Sequence, residues 1–437
     1  MKVIILIFLI LFTSNARLIH IRKKKWKSTN SFVHHAAKKG IPKIYKKPPV
    51  LRKWKAFKKW SDNSYLSDLI GDVEGVYVQS ESPVFGPYFD ETRPLSKHTT
   101  KLHNYLEISS MSLASFLLPP NNDKQNNVTT FMYLTREIER VHPLLENDIT
   151  PFDELIRLGP QKSSINIWMG HFAVTAPCHY DSYHNVYVQI RGKKTFYLAS
   201  PISRNILRQY PFIHPSHAQC QVRLNPTLNA SLSDEIDIFV AELEPGDVLY
   251  LPPMWFHEVI ATSNISISVN GWTAFHDSKF VEELFSVPLP VSWFEIKLRS
   301  TFIVYISRML INLFSFLNDI NVDIFLSNLY NQRFESLVEA GIFSKSTFRN
   351  SFKVCSKKTF VRDKDIPRWS KDVGGINNRF DKNNRETWLG NFVEGLLLTT
   401  VGQENAQEVG DLLSSVQQCV KIMIESDADD VSHGDEL

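Results

Sequence analysis

The chain has four cysteines in 437 residues and no CxxC pair. That excludes a disulfide-built miniprotein and gives no sign of a thiolate zinc site. Gly and Pro are ordinary in number and no segment repeats, so collagen-like and solenoid architectures drop out. No apolar run reaches the roughly 20 residues that a transmembrane helix needs. Val3–Phe12 is about half that length, and Arg308 interrupts the stretch Phe302–Leu317. Acidic residues are absent from Arg17 to Lys59, where 16 Lys and Arg stand, so residues 61–437 carry a net charge of −14 although the whole chain is +3. What is present is the composition of a globular protein, 43% hydrophobic and 22% charged, with enough apolar residues for a sizeable core. Its length fits one large or two moderate domains.

The two ends resemble targeting signals. Met1-Lys2 and the apolar run lead into Thr13-Ser14-Asn15-Ala16, a pattern that predicts a signal peptide over residues 1–16 with cleavage after Ala16. The basic residues that follow the run outnumber those before it, which taken alone reads as a cytosolic orientation. The chain finishes Gly434-Asp435-Glu436-Leu437, close to a retrieval tail but with Gly where Lys or His is usual. Sequons begin at Asn127, Asn229 and Asn264 and would be glycosylated in the secretory pathway. Together these features predict a glycoprotein of the endoplasmic reticulum lumen.

Residues 17–47 read as a basic flexible arm that could contact anionic surfaces. Structure is expected from residue 48, with Pro49-Val50-Leu51 as a short strand and helices over Trp54–Trp60 and Ser64–Leu69. From about residue 130 to 275 short runs rich in β-branched and aromatic residues alternate with turn signals such as Arg191-Gly192 and Pro245-Gly246-Asp247, the pattern of an antiparallel sandwich or barrel. Residues 286–425 read as a helical region, and 426–437 as an acidic tail.

His179-Tyr180-Asp181 precedes a strand of period 2, so His179 and Asp181 should share a face while Cys178 and Tyr180 point away. His257 stands at the start of another strand. Two imidazoles and one carboxylate on one side of an iron suit Fe(II) that takes a bidentate cosubstrate and then O2. The triplet alone is weak, because His433-Gly434-Asp435 is another. Context strengthens the first: Asn185 and Lys194 follow it, and Glu244-Pro245-Gly246-Asp247 through Pro253 leads into Trp255-Phe256-His257.

The segments HYDSYHNVYVQIRGKKTFYLASP (179–201) and LEPGDVLYLPPMWFHEVIATSNISISVNGW (243–272) resemble the JmjC, or cupin-like, Fe(II)/2-oxoglutarate oxygenases. PPVLRKWKAFKKWSDNSYL (48–66) and SINIWMG (164–170) resemble their hydroxylase-type members. The resemblance spans about residues 48–285 and implies a mainly β fold with α, a double-stranded β-helix (jelly roll) core plus a C-terminal helical region. It implies that His179, Asp181 and His257 hold Fe(II), and that Lys194 pairs with the distal carboxylate of 2-oxoglutarate. Asn185 and Asn270 match amide positions near the cosubstrate, and Tyr133 matches a phenol that donates to the same carboxylate or is a core aromatic. C-terminal helices in such relatives often form a homodimer. The sequence departs at Ala176, where relatives often carry a Thr or Ser donor; a bulge near Pro177 could bring Thr175 inward instead. The implied reaction couples decarboxylation of 2-oxoglutarate with O2 to hydroxylation of a C–H bond; a luminal location favours a protein or peptide side chain as substrate, and no sequence-specific nucleic acid binding is expected. Two alternatives remain open: a JmjC lysine demethylase, and a catalytically silent cupin-fold scaffold.

Overall fold

The structure is a computed structural model, and it describes residues 17–32, 40–79, 82–85, 107–118, 122–123, 128–152, 155, 164–227, 232, 236–290, 299–317, 319–344, 355 and 364–432. The expected signal segment, the retrieval-like end, the triplet at His433 and the sequons at Asn127 and Asn229 lie outside the described residues.

Strands β1 (Arg17–His20), β2 (Lys24–Lys25) and β3 (Lys43–Lys46) come first, then β4 (Asp72–Gln79), β5 (Glu107–Ser112) and β6 (Phe131–Glu137). The barrel strands follow as β7 (Ser164–His171), β8 (Thr175–Tyr180), β9 (Tyr183–Arg191), β10 (Lys194–Ala199), β11 (Asp237–Leu243), β12 (Asp247–Leu251), β13 (Phe256–Ala261) and β14 (Ile265–Ala274). They build a five-stranded sheet in the order β1-β11-β10-β13-β8 and a nine-stranded sheet in the order β2-β3-β12-β9-β14-β7-β6-β4-β5. Strands β11-β10-β13-β8 of the first sheet and β12-β9-β14-β7 of the second face one another as a jelly roll.

Strand alternation explains the layers. Along β9, Val186, Val188 and Ile190 face outward, where they join Val248, Tyr250, Ile267 and Val269 against a helical layer containing Trp60, Leu66, Leu113 and Phe116. Between the sheets Tyr187, Phe196, Leu198, Leu249 and Leu251 fill the barrel interior. The outer face of the five-stranded sheet, with Cys178, Tyr180, Ile238 and Phe256, is buried against the C-terminal helices. Both faces of both sheets are covered, so the central strands are buried almost throughout. Each fully buried Val, Leu, Ile or Phe contributes roughly 1.5–3 kcal/mol.

The C-terminal helices are α1 (Ser278–Phe285), α2 (Arg299–Ser315), α3 (Val322–Arg333), α4 (Ile366–Asn377), α5 (Lys382–Val401) and α6 (Val409–Ser432). The last of them runs into the segment expected to be an acidic tail. Among the described residues no helix is long and apolar enough to cross a membrane.

The expectation of a flexible arm over residues 17–47 is overturned. β1 pairs in parallel with β11, and β3 pairs antiparallel with β12, so this segment covers the open edges of both barrel sheets. Phe32, Ile44 and Tyr45 are buried, and the apolar pair within Lys43-Ile44-Tyr45-Lys46 anchors a strand whose flanking lysines remain at the surface. The backbone ladder and a few apolar anchors outweigh the charge density, because the lysines need not be buried to form it. Ordered structure, expected from residue 48, therefore begins earlier in the chain. Pro49-Val50-Leu51 is also not a strand: Pro49–Lys53 is a 3-10 helix with Pro49 at its first position, where the fixed φ of proline suits a helical start.

Candidate metal centre

β8 and β13 are antiparallel neighbours, and their register sets His179 directly opposite His257. The two imidazole centroids are 4.0 Å apart. Asp181 lies just beyond the end of β8, its backbone held by a bond from the Met254 amide at 2.8 Å, and its Oδ2 is 3.7 Å from His257 Nε2. Ligand atoms of all three side chains lie within 4.8 Å of one another, so the group could hold a metal ion.

The hydrogen bonds around the triad fit that role. His179 Nδ1–H donates to the Pro177 carbonyl at 2.7 Å, and His257 Nδ1–H donates to the Trp255 carbonyl at 3.0 Å. Each bond fixes the tautomer that leaves a lone pair on Nε2, the usual arrangement for metal-binding histidines. Burial, with His179 alongside, pushes His257 down to about 4, so it is a neutral ligand at physiological pH. Asp181 is oriented in turn: Asn185 Nδ2 donates to it at 3.5 Å, Asn270 Nδ2 donates to Asn185 at 3.0 Å, and Trp168 Nε1 donates to Asn270 at 2.7 Å. Two imidazoles and an oriented carboxylate form a donor set suited to a divalent first-row metal.

Behind the triad is a cavity of about 40 Å³ to which Tyr133, Ala176, Asn185, Lys194 and Asn270 all contribute. Thus the structure brings every sequence-predicted site residue to one place. Lys194 is buried, donates to Ser268 Oγ at 3.2 Å and lies 5.5 Å from the centre of the Tyr187 ring. Tyr187 and Ser268 are hydrogen-bonded to each other. Burial without a carboxylate partner lowers Lys194 to about 7. Its neighbour Lys193 is exposed and pairs with Glu244 at 3.2 Å, as strand alternation requires. The turn that positions Lys194 depends on Gly192 (φ +67°), where a Cβ would sit 2.1 Å from the Ile265 carbonyl oxygen.

Ala176 lines the cavity and Thr175 does not. A bulge does lie between Ala176 and His179, and its effect is to put those two residues on the same face despite their odd spacing. Thr175 pairs opposite Ile260 on the other face, and its hydroxyl donates to the Ala173 carbonyl at 2.8 Å. It does not replace the missing donor.

Sequence reasoning missed Trp168, Tyr187 and Ser268. Period 2 was the available signal: Tyr187 follows Asn185 by two residues on β9, and Ser268 precedes Asn270 by two on β14. The outer face of the centre was also invisible. Cys178, beside His179, is disulfide-bonded to Cys220, and residues 218–220 run alongside 178–180 through backbone bonds from Tyr180 and Cys220 of 2.9 and 2.8 Å. Tyr180 accepts from Gln209 Nε2 at 3.0 Å, and Glu258, next to His257, is held by both guanidinium arms of Arg223.

A family model described as a cupin-like domain matches residues 29–278. Among curated proteins, the chain is 24% identical over 280 residues to JmjC domain-containing protein E of Dictyostelium discoideum, covering 51% of this chain and 75% of that one. It is 28% identical over 254 residues to JmjC domain-containing protein D of the same organism, covering 54% and 52%. To Jumonji C domain-containing protein 5 of Drosophila melanogaster it is 28% identical over 236 residues, covering 51% and 52%. The chain thus spans three quarters of the first relative and about half of the other two.

Proposed function

The chain belongs to the cupin-like family, in its JmjC branch of 2-oxoglutarate-dependent oxygenases, and on that premise we propose that it hydroxylates a protein or peptide side chain in the secretory pathway. The observation that carries the reading is the convergence of His179, Asp181 and His257, with both Nδ1–H groups tied to carbonyls, over a cavity that also contains Lys194. His179, Asp181 and His257 would hold Fe(II), which when bound supplies the O2 chemistry that couples 2-oxoglutarate decarboxylation to C–H hydroxylation.

The chain's own residues supply binding and orientation. Lys194 meets the distal carboxylate as an ammonium in a water-poor cavity, where a charged group requires an opposite charge. Tyr187 and Ser268 fix the position of that ammonium, and the Trp168–Asn270–Asn185 chain holds the Asp181 carboxylate in one rotamer. Tyr133, packed against Phe85 and Trp168, lines the same cavity and is placed to donate to the cosubstrate.

A luminal location is supported by the cysteines, all four of which pair, as Cys178–Cys220 and Cys355–Cys419; such bonds are rare where cytosolic reductants act. Asn264 is exposed in the turn between β13 and β14, open to a glycan. Purified full-length protein given Fe(II), ascorbate and 2-oxoglutarate should release succinate, and His179→Ala should not. Metal-loaded protein that releases none would favour the silent scaffold. Protease protection in microsomes, with a glycan at Asn264, would support the lumen, and an accessible unglycosylated protein would refute it.

A further inference from the structure

The 16 basic residues between Arg17 and Lys59 belong in large part to a folded surface. Arg22, Lys24, Lys25, Lys27, Lys46 and Lys47 are all exposed where β2 and β3 extend the nine-stranded sheet beyond β12. Lys23 is neutralised by Asp247 at 2.7 Å and Glu244 at 3.7 Å. Among the described residues the other six have no carboxylate partner. Lys25 stands directly opposite Lys46 in the ladder, an arrangement that repels unless an anion lies over it.

An open cleft of about 450 Å³ runs between residues 20–24 and 41–43, with Arg22, Lys24 and Lys43 in its walls beside His20. Its position relative to the metal centre is set by one short chain of contacts. Gly40, next to the cleft residue Ile41, accepts a bond from Trp255 Nε1 at 2.9 Å, and the Trp255 carbonyl accepts from His257 at 3.0 Å. The cleft is thus linked through Trp255 to the strand that carries His257.

We infer that this basic face docks an acidic stretch of the polypeptide substrate, an inference that rests on the hydroxylase reading above. The chemistry favours carboxylates on a peptide over a nucleic acid. Of the aromatic residues in this segment, Phe32 and Tyr45 are buried and the half-buried Trp26 packs against both at 5.1 Å, so the face presents no row of free rings on which successive bases could stack. Charge held on a rigid sheet edge also steers an acidic chain toward the site at low salt.

The test uses full-length protein and a fluorescein-labelled oligoglutamate peptide followed by anisotropy. Wild type should bind it, more weakly as salt rises. The triple variant Lys24→Glu, Lys25→Glu, Lys46→Glu should bind at least about tenfold more weakly, with unchanged melting temperature and unchanged succinate release in the absence of substrate. Should the triple variant unfold, Lys→Gln at the same positions takes its place. Equal binding by wild type and variant would overturn the inference. So would displacement of the peptide by phosphatidylserine vesicles or single-stranded oligonucleotide at lower charge concentration, which would assign the face to a membrane or to nucleic acid. Anisotropy needs no turnover, so failure of docking and failure of the hydroxylase reading are separate results: protein that releases succinate but ignores the peptide loses only the docking surface.

Discussion

Lys194 offers the most direct measurement of whether the cavity is built for a dicarboxylate. Its ammonium is buried and held by a single serine hydroxyl at 3.2 Å, and desolvation brings it from 10.5 to about 7. Keeping it charged with no carboxylate beside it thus costs about 5 kcal/mol relative to water. A carboxylate beside it offsets much of that cost. Removing one partner of such a buried pair typically costs about 3–5 kcal/mol, so Lys194→Ala should weaken 2-oxoglutarate binding by roughly 150- to 5,000-fold. The assay is calorimetry on Mn(II)-loaded protein without O2, which reads binding apart from turnover.

The same burial sets a pH dependence whose sign follows directly. The lysine of the free site is half charged near pH 7, while that of the occupied site remains charged well above it. Binding above pH 7 must therefore take up a proton, and affinity should fall about tenfold per pH unit between 7 and 9. Titrations in buffers of different ionisation enthalpy should show uptake approaching one proton at pH 8 for wild type and for Lys193→Ala, and none for Lys194→Ala. PH-independent binding by wild type, with equal affinity in Lys194→Ala, would refute the assignment of the cosubstrate site.

Further outcomes are expected at neighbouring positions. His179→Ala and Asp181→Ala should each abolish stoichiometric metal binding by elemental analysis, whereas His433→Ala should retain it; unchanged metal content in the first two would remove the triad. Ala176→Thr, adding a donor to the cavity wall, should improve 2-oxoglutarate affinity by up to about fivefold, since one net hydrogen bond contributes about 1 kcal/mol. Thr175→Val should leave that affinity unchanged, and a loss would mean that the hydroxyl reaches the cavity. Replacing Cys178 and Cys220 together by Ser opens a loop of 42 residues and should cost about 4 kcal/mol of stability, seen as a lower melting temperature; no change would show that the bond does not form.

The site was more legible than the architecture around it, and the reason lies in periodicity. His179, Asp181, Asn185 and Lys194 fall within a short stretch of sequence, and alternation along β9 and β10 determines which of them face inward. Lys193 and Lys194 were separated correctly on that ground alone. Cys178 and Tyr180 were likewise expected to point away from the metal centre, and they lie in the cluster shared with the C-terminal helices. Alternation does not reveal a bulge, however. The two residues between Ala176 and His179 would place those side chains on opposite faces in a regular strand, and only the register with β13 shows that they share one.

Long-range partners account for most of what could not be read. The basic stretch 17–47 has few apolar residues, and composition alone made it an unfolded arm. Its structure comes from edges it cannot know locally: β11 and β12 lie some 200 residues away in sequence and leave backbone donors and acceptors that β1 and β3 satisfy. A sheet edge selects for backbone pairing and a few anchors such as Ile44 and Tyr45, and it leaves the remaining side chains free to be charged. The same logic applies behind the triad, where the segment ending at Cys220 adds its own backbone bonds to the strand of His179. In both places the barrel edge is closed by chain from outside the barrel, one segment lysine-rich and one disulfide-linked. The metal ligands are consequently held at positions where the fold is reinforced by elements with no ligand motif of their own.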